Sequence, residues 1–207
     1  MSISSVQYKQ NVFINCPFDP IYQPLFHAII FAVQIAGFKP RCAREGSNAA
    51  TVRLQKIMDI ISECKYGIHD ISKTELGSNG LPRFNMPLEL GLDLGAKRFG
   101  TIRQRSKSLL VLDRDQYRYQ KFISDINGQD ISPHSRSIKK AINQVRDWLS
   151  TESGIDTMSG GDYMYWRYRA FQRELPELCR QWNRNIKKLT FGDFTHIARI
   201  WLEENET

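Results

Sequence analysis

The chain has 207 residues, 41% hydrophobic and 25% charged, a composition typical of a globular protein with one substantial core. No run approaches the roughly 18 apolar residues that a membrane-spanning helix needs, and the N-terminus lacks the basic flank and apolar stretch of a signal peptide. We therefore expect a cytoplasmic protein with no membrane partner. Its net charge of +7 favours anionic partners such as nucleotides or nucleic acid.

The positive charge is concentrated in the first part of the chain. Residues 1–150 carry 21 Lys and Arg against 13 Asp and Glu, whereas residues 151–207 carry 8 against 9. The four cysteines and four histidines are scattered, without the paired spacing of a zinc site or a disulfide framework. We expect free, buried thiols and no metal ion.

Strand-type and helix-type patterns alternate through residues 1–150. In chain order, the sequence predicts a strand at 12–15, a helix at 22–36, a strand at 38–42, a helix at 51–63, a strand at 66–70, a helix from about 87 to 96, a strand at 109–112, and helices around 119–126 and 138–149. This alternation is typical of βαβ units, so we expect an α/β domain over 1–150, with helices on both faces of a parallel sheet.

A different composition follows residue 150. Residues 151–161 have the Gly and Ser content of a linker, and residues 162–207 form a predicted helical extension, with helices at about 162–188 and 191–204 and Pro176 bending or breaking the first. Aromatic and arginine side chains crowd the extension. A helical pair cannot bury that surface alone, so it must pack on the α/β domain, on a second copy in a homo-oligomer or on a protein partner. Nucleic acid would also suit this mixture.

Open parallel sheets bind ligands beyond the carboxyl ends of their strands. The positions to inspect are therefore 15–19, 41–45, 70 and 113–118. The first strand is not followed by a Gly-x-Gly-x-x-Gly pattern or a phosphate-loop lysine. The sequence thus argues against an ordinary dinucleotide dehydrogenase or NTPase.

Glu89 is the leading candidate for a catalytic residue. Pro87 suits the first position of a helix, which would place Glu89 at the third. A glutamate there can simply cap the helix, and that alternative stays open. Asp70 ends the third predicted strand and Asn15 ends the first, so we expect polar groups to converge on a Glu89 carboxylate held anionic by the helix N-terminus. An anionic carboxylate suits cleavage of a glycosidic bond.

Three segments in this order resemble the nucleoside 2-deoxyribosyltransferase superfamily and the related TIR-like nucleotide-processing domains. They are Val12-Phe-Ile-Asn-Cys-Pro-Phe18, Glu63-Cys-Lys-Tyr-Gly-Ile-His-Asp70 and Asn85-x-x-x-Glu89-Leu-Gly-x-x-Leu-Gly-Ala-Lys97. The resemblance covers about residues 11–150 and implies a flavodoxin-like sheet of about five strands. It also implies that Glu89 is catalytic, that Asp70 contacts the base or positions the site, and that the first-strand exit loop lines the pocket through Asn15, Pro17, Phe18 and Asp19.

One departure from the family pattern concerns the reaction. The transferases usually carry an aspartate shortly before the glutamate, where this chain has Asn85-Met-Pro-Leu. Asn85 with Glu89 is more similar to TIR-like and defence-associated members, which cleave NAD or other nucleotides and in some bacterial anti-phage systems carry added helices. The resemblance therefore implies NAD or a nucleotide as substrate, with no separate cofactor and with Asn85 in the substrate site.

The segment after the fourth predicted strand, residues 113–119, mixes arginine and tyrosine. Arg114 or Arg118 could hold a phosphate and Tyr117 a base, although a charged surface turn explains the segment equally well. The leading hypothesis is an N-glycosidase that cleaves the ribose–base bond of a nucleotide in a defence or toxin-like context. The alternatives are a non-catalytic nucleotide sensor coupled to a partner, a nucleoside deoxyribosyltransferase and a nucleic-acid-binding module.

Overall fold

A five-stranded, all-parallel sheet forms the centre of the protein, as seen in a computed structural model that describes residues 4–46, 50–74, 76, 80 and 83–205. The strands are β1 (Asn11–Asn15), β2 (Lys39–Arg41), β3 (Tyr66–Asp70), β4 (Ser108–Asp113) and β5 (Ile131–Pro133). Their spatial order is β2-β1-β3-β4-β5. This order and the helices around it confirm the predicted flavodoxin-like α/β fold.

Eight helices pack around the sheet or on one another in the part of the chain that the structure describes. They are α1 (Ser5–Gln10), α2 (Gln23–Ile35), α3 (Arg53–Ser62), α4 (Asn85–Phe99), α5 (Ile102–Arg105), α6 (Ile138–Ser153), α7 (Gly161–Gln181) and α8 (Phe191–Glu204). None of these described helices is long and apolar enough to cross a bilayer.

The two faces of the sheet bury different residues of β1, because successive side chains of a strand point to opposite sides. Val12 and Ile14 belong to the large core that contains α2 and α6. Phe13 points the other way and packs with Ile57 and Ile61 of α3. Both faces are therefore covered, which explains why β1 is apolar at both alternating sets of positions.

The helical extension packs on the α/β part of the same chain. Phe31 of α2 stacks on Phe171 of α7 with ring centroids 5.2 Å apart, and its ring centroid lies 6.0 Å from that of Trp201 in α8. The buried aromatic side chains of the extension thus belong to the same hydrophobic core as the buried face of α2. A second copy or a protein partner for residues 162–204 stays a prediction.

Three predicted helices differ from those observed. Residues 119–126 form two short 3-10 turns, Arg118–Lys121 and Ser124–Ile126, instead of an α-helix. The chain enters the first turn through Tyr117 with a left-handed φ of 60°, which an α-helix excludes. Helix α7 continues through Pro176 and ends at Gln181, seven residues before the predicted end. Helix α4 begins at Asn85, two residues before Pro87.

Candidate functional site

A pocket of about 400 Å³ opens beside the carboxyl end of β1, and we call it the glutamate pocket. The exit loop of β1 forms one wall and the start of α4 the other. Of the predicted site residues it brings together Asn15, Pro17, Phe18, Asn85 and Glu89. Two arginines that sequence reasoning missed, Arg53 and Arg83, line it as well.

Glu89 lies at the fifth position of α4, not at the third as predicted. Pro87 takes the third position, which it can occupy because the first N–H groups of a helix have no intrahelical acceptor. No side-chain hydrogen bond caps the start of α4 at Phe84. Within the described residues, the Glu89 carboxyl has no hydrogen bond or ion pair of its own. The geometry therefore does not support a capping role for Glu89. Its carboxyl lines the pocket instead.

Burial controls the ionisation of Glu89. Its side chain is almost fully buried, and this desolvation raises the carboxyl pKa from 4.5 to about 7, with Arg53 acting in the opposite direction. The expectation of a carboxylate held anionic by the helix N-terminus was wrong, because α4 begins two residues earlier than predicted and the effect of burial on the pKa dominates. At neutral pH both forms of the carboxyl are populated.

Asn15 is held in place by a buried polar chain. Its amide nitrogen donates to the Met86 carbonyl at 2.8 Å and lies 3.1 Å from Nδ1 of His69. Because an amide nitrogen only donates, Nδ1 accepts, and Nε2–H of His69 donates to Oδ2 of Asp93 at 3.0 Å. Nζ of Lys107 lies 3.1 Å from the other oxygen of Asp93. Both hydrogens of the Asn15 amide are thus bonded to protein atoms, and its oxygen is available to a molecule in the pocket.

Sequence reasoning did not find this chain of residues, although one signal was visible. Asp93 is a carboxylate among the apolar residues of α4, four residues after Glu89, and it is fully buried. Gly67 of β3 lies against it: a Cβ there would come within 2.6 Å of Oδ2 of Asp93. The glycine in the segment Tyr66–Asp70 is therefore required by the close approach of α4.

Asp70 does not line the glutamate pocket. It is fully buried, accepts the N–H of Ser72 at 2.8 Å and the hydroxyl of Tyr22, and lies 3.1 Å from Nε2 of His134. The predicted convergence of Asp70 with Glu89 is not observed, because the two carboxyls lie on opposite faces of the sheet. The proposed contact of Asp70 with substrate stays a prediction.

A second pocket, of about 360 Å³, lies above Asp70, and we call it the cationic pocket. Its lining includes Asp19, Tyr22, Lys73, Arg114, His134 and Arg136. Two predicted site residues, Asp19 and Arg114, thus face this pocket and not the one that contains Glu89.

Arg118 and Tyr117 line neither pocket. Arg118 forms an ion pair with the buried Asp113 at 2.7 Å and donates to the Ile71 carbonyl at 2.9 Å, so it joins the exits of β3 and β4. Tyr117 is 62% exposed. The positions of Arg118 and Tyr117 agree better with a charged turn, which was the alternative interpretation of residues 113–119, than with a pocket wall.

Cys16 lines the glutamate pocket, and burial raises the pKa of its thiol well above the ordinary value. A protonated thiol is a poor nucleophile. All four cysteines are free and buried, as predicted. Among the described residues, no three His, Cys, Asp or Glu side chains are placed to hold a metal ion.

Comparison of the chain with protein-family models, with curated proteins and with solved structures finds no match. The resemblance to the deoxyribosyltransferase superfamily therefore stays a prediction.

Proposed function

We propose that this protein is an N-glycosidase that hydrolyses the bond between ribose and base in a nucleotide, with NAD as the first substrate to test. The observation that carries the proposal is the buried Glu89 carboxyl, which lines a pocket of about 400 Å³ and, within the described residues, has no protein partner. Burying such a group costs free energy in the unliganded protein. That cost is offset when a substrate supplies the partner, and for this reason perturbed carboxyls concentrate at functional sites.

The chemistry requires a negative charge beside the sugar. Cleavage of an N-glycosidic bond builds positive charge at C1′ of the ribose in an oxocarbenium-like transition state. The ionised Glu89 carboxylate stabilises that charge or attacks C1′. The C1′–N bond breaks with its electron pair moving to the base, the oxygen of a water molecule becomes bonded to C1′, and one proton is released. From NAD, the products are nicotinamide and ADP-ribose.

The remaining lining residues suit a nucleotide. Asn15 keeps its amide oxygen for a ribose hydroxyl, because its nitrogen is bound to Met86 and His69. Phe18 and Phe84 give apolar surface for a base. The guanidinium groups of the two lining arginines suit a phosphate oxygen.

The test is incubation of the purified chain with NAD and a panel of nucleosides and nucleotides, followed by chromatography for the released base. We expect release by the wild type and none by Glu89→Gln, which keeps the shape of the side chain. The matched control is Glu177→Gln on the exposed face of α7, which should behave as the wild type.

Other outcomes separate the alternative functions. Equal release of base by wild type and Glu89→Gln would contradict the assignment of Glu89. Transfer of the sugar to an added free base, without hydrolysis, would identify a transferase. Binding of nucleotide without any bond cleavage would identify a sensor.

A further inference from the structure

We propose that the cationic pocket binds the phosphate group of a nucleotide, at a site separate from the glutamate pocket. Three cationic side chains line it, Lys73, Arg114 and Arg136, against one acidic side chain, Asp19. Two of these cations already have an acidic partner: Lys73 lies 2.6 Å from Asp19, and Arg114 lies 2.7 Å from Asp115. The side chains that line the pocket still carry more positive than negative charge, and a phosphate would share these cations with the two carboxylates.

The wall of the pocket is built from within the core. The buried Asp70 carboxylate holds three lining residues together: it accepts from the Tyr22 hydroxyl and the Ser72 N–H, and it lies 3.1 Å from Nε2 of His134. Asp70 is therefore a positioning residue for this pocket. A wall held by these hydrogen bonds to a buried carboxylate distinguishes the pocket from a solvated patch of arginines and lysines.

His134 also fixes the loop that carries Arg136. Its Nδ1 accepts the backbone N–H of Arg136 at 2.9 Å. Ser135 and Arg136 have left-handed φ values of 52° and 58°, a conformation that non-glycine residues rarely adopt. Such strained positions concentrate where a side chain must be aimed at a ligand. The loop thus places the Arg136 guanidinium at the pocket at the expense of backbone strain.

Helix α6 begins at the same place and adds to the positive potential. Ile138, its first residue, lines the pocket, so the N–H groups of its first turn lie close by. An acidic side chain would normally stabilise that end, but the first turn has none and carries Lys139 and Lys140. A bound anion supplies the missing negative charge.

The size and apolar lining of the pocket indicate more than a free phosphate ion. Its volume of about 360 Å³ lies within the range of about 300–1,000 Å³ that is typical of small-molecule sites. Pro24, Leu25 and Ile138 give apolar surface beside the cations. This combination fits a phosphate attached to a nucleoside. The site does not depend on bond cleavage at Glu89.

The test is calorimetric binding of AMP and of adenosine to the full chain. We expect AMP to bind at least about tenfold more tightly than adenosine, because the cations add charge-assisted hydrogen bonds. In the double variant Arg114→Gln, Arg136→Gln, AMP binding should weaken at least about tenfold while adenosine binding stays the same. The control Arg98→Gln, at an exposed position of α4 outside the pocket, should bind AMP as the wild type does.

Three results would overturn the proposal. They are no measurable AMP binding, equal AMP binding by the double variant and the wild type, and loss of AMP binding in Arg53→Gln, Arg83→Gln, which would place the phosphate in the glutamate pocket. Retained AMP binding without base release would leave this site standing and remove only the glycosidase. If NAD is cleaved, a raised KM with unchanged kcat in Arg114→Gln, Arg136→Gln assigns the bound phosphate to the substrate, and an unchanged KM assigns it to a separate nucleotide.

Discussion

Replacing Glu89 with glutamine should change how stability depends on pH. In the folded protein, burial raises the Glu89 pKa from 4.5 to about 7. Between these two values the folded state holds a proton that the unfolded state has released. The protonated Glu89 carboxyl therefore makes its full contribution to stability below about pH 4.5, and this contribution is lost as the pH rises through about 7. Glutamine does not titrate, so the variant lacks this loss.

The magnitude follows from the difference between the two pKa values. At 1.36 kcal/mol for each pKa unit, ionisation of the buried carboxyl costs the folded state about 3 kcal/mol above neutral pH. For a chain of this length, that corresponds to a change of about 6–12 °C in Tm. The nearby Arg53 already opposes the effect of burial and is included in the value.

The assay is thermal unfolding of wild type and Glu89→Gln at about pH 5 and about pH 8. The difference in Tm between the two proteins removes the contribution of all other titrating groups. We expect Glu89→Gln to gain stability over the wild type on going to the higher pH. A Tm difference that is the same at both pH values would refute the reasoning, because it would mean that the carboxyl is not desolvated.

Three further predictions concern activity and packing. If ionised Glu89 is the reactive form, kcat/KM for base release should rise with pH through about 7 and then level off; a flat profile would contradict this. Burial lowers the His27 pKa to about 4, so the unfolded state binds the extra proton between that value and about 6.5. Stability should therefore fall as the pH drops through this window, and His27→Phe, which keeps the stack on Phe194, should remove the effect in denaturation experiments. Gly67→Ala should destabilise the protein by about 1–3 kcal/mol in urea unfolding, because its Cβ meets Oδ2 of Asp93 at 2.6 Å; an unchanged midpoint would show that α4 can move away.

The order of strands and helices could be predicted from the sequence because each central strand is apolar and each long helix carries a periodic apolar face. Strand β5 was harder to find, since Ile131–Pro133 is only three residues long and ends in a proline. The segment 119–126 has helix-compatible residues, but Arg118 is bound to Asp113 and the Ile71 carbonyl. Those tertiary contacts decide its conformation, and they cannot be seen in the local pattern.

Five residues of the glutamate pocket could be predicted because they follow directly from the strand end and the helix start: Asn15, Pro17, Phe18, Asn85 and Glu89. The separation of Asp70 from Glu89 was missed, although strand alternation contains the reason. His69 points toward α4 and binds Asp93, so its neighbour Asp70 must point to the opposite face, toward Tyr22. Asn15 pairs in register with His69 and therefore shares the face of Glu89. The two arginines of the pocket come from segments distant in sequence, and only the folded chain brings them together.

Base release from NAD tests the central claim most directly. Purified wild type and Glu89→Gln are incubated with NAD under identical conditions, and free nicotinamide is measured by chromatography over time. The proposed function predicts that nicotinamide and ADP-ribose accumulate in equal amounts with the wild type, and that neither forms with Glu89→Gln. Equal accumulation with both proteins would contradict it.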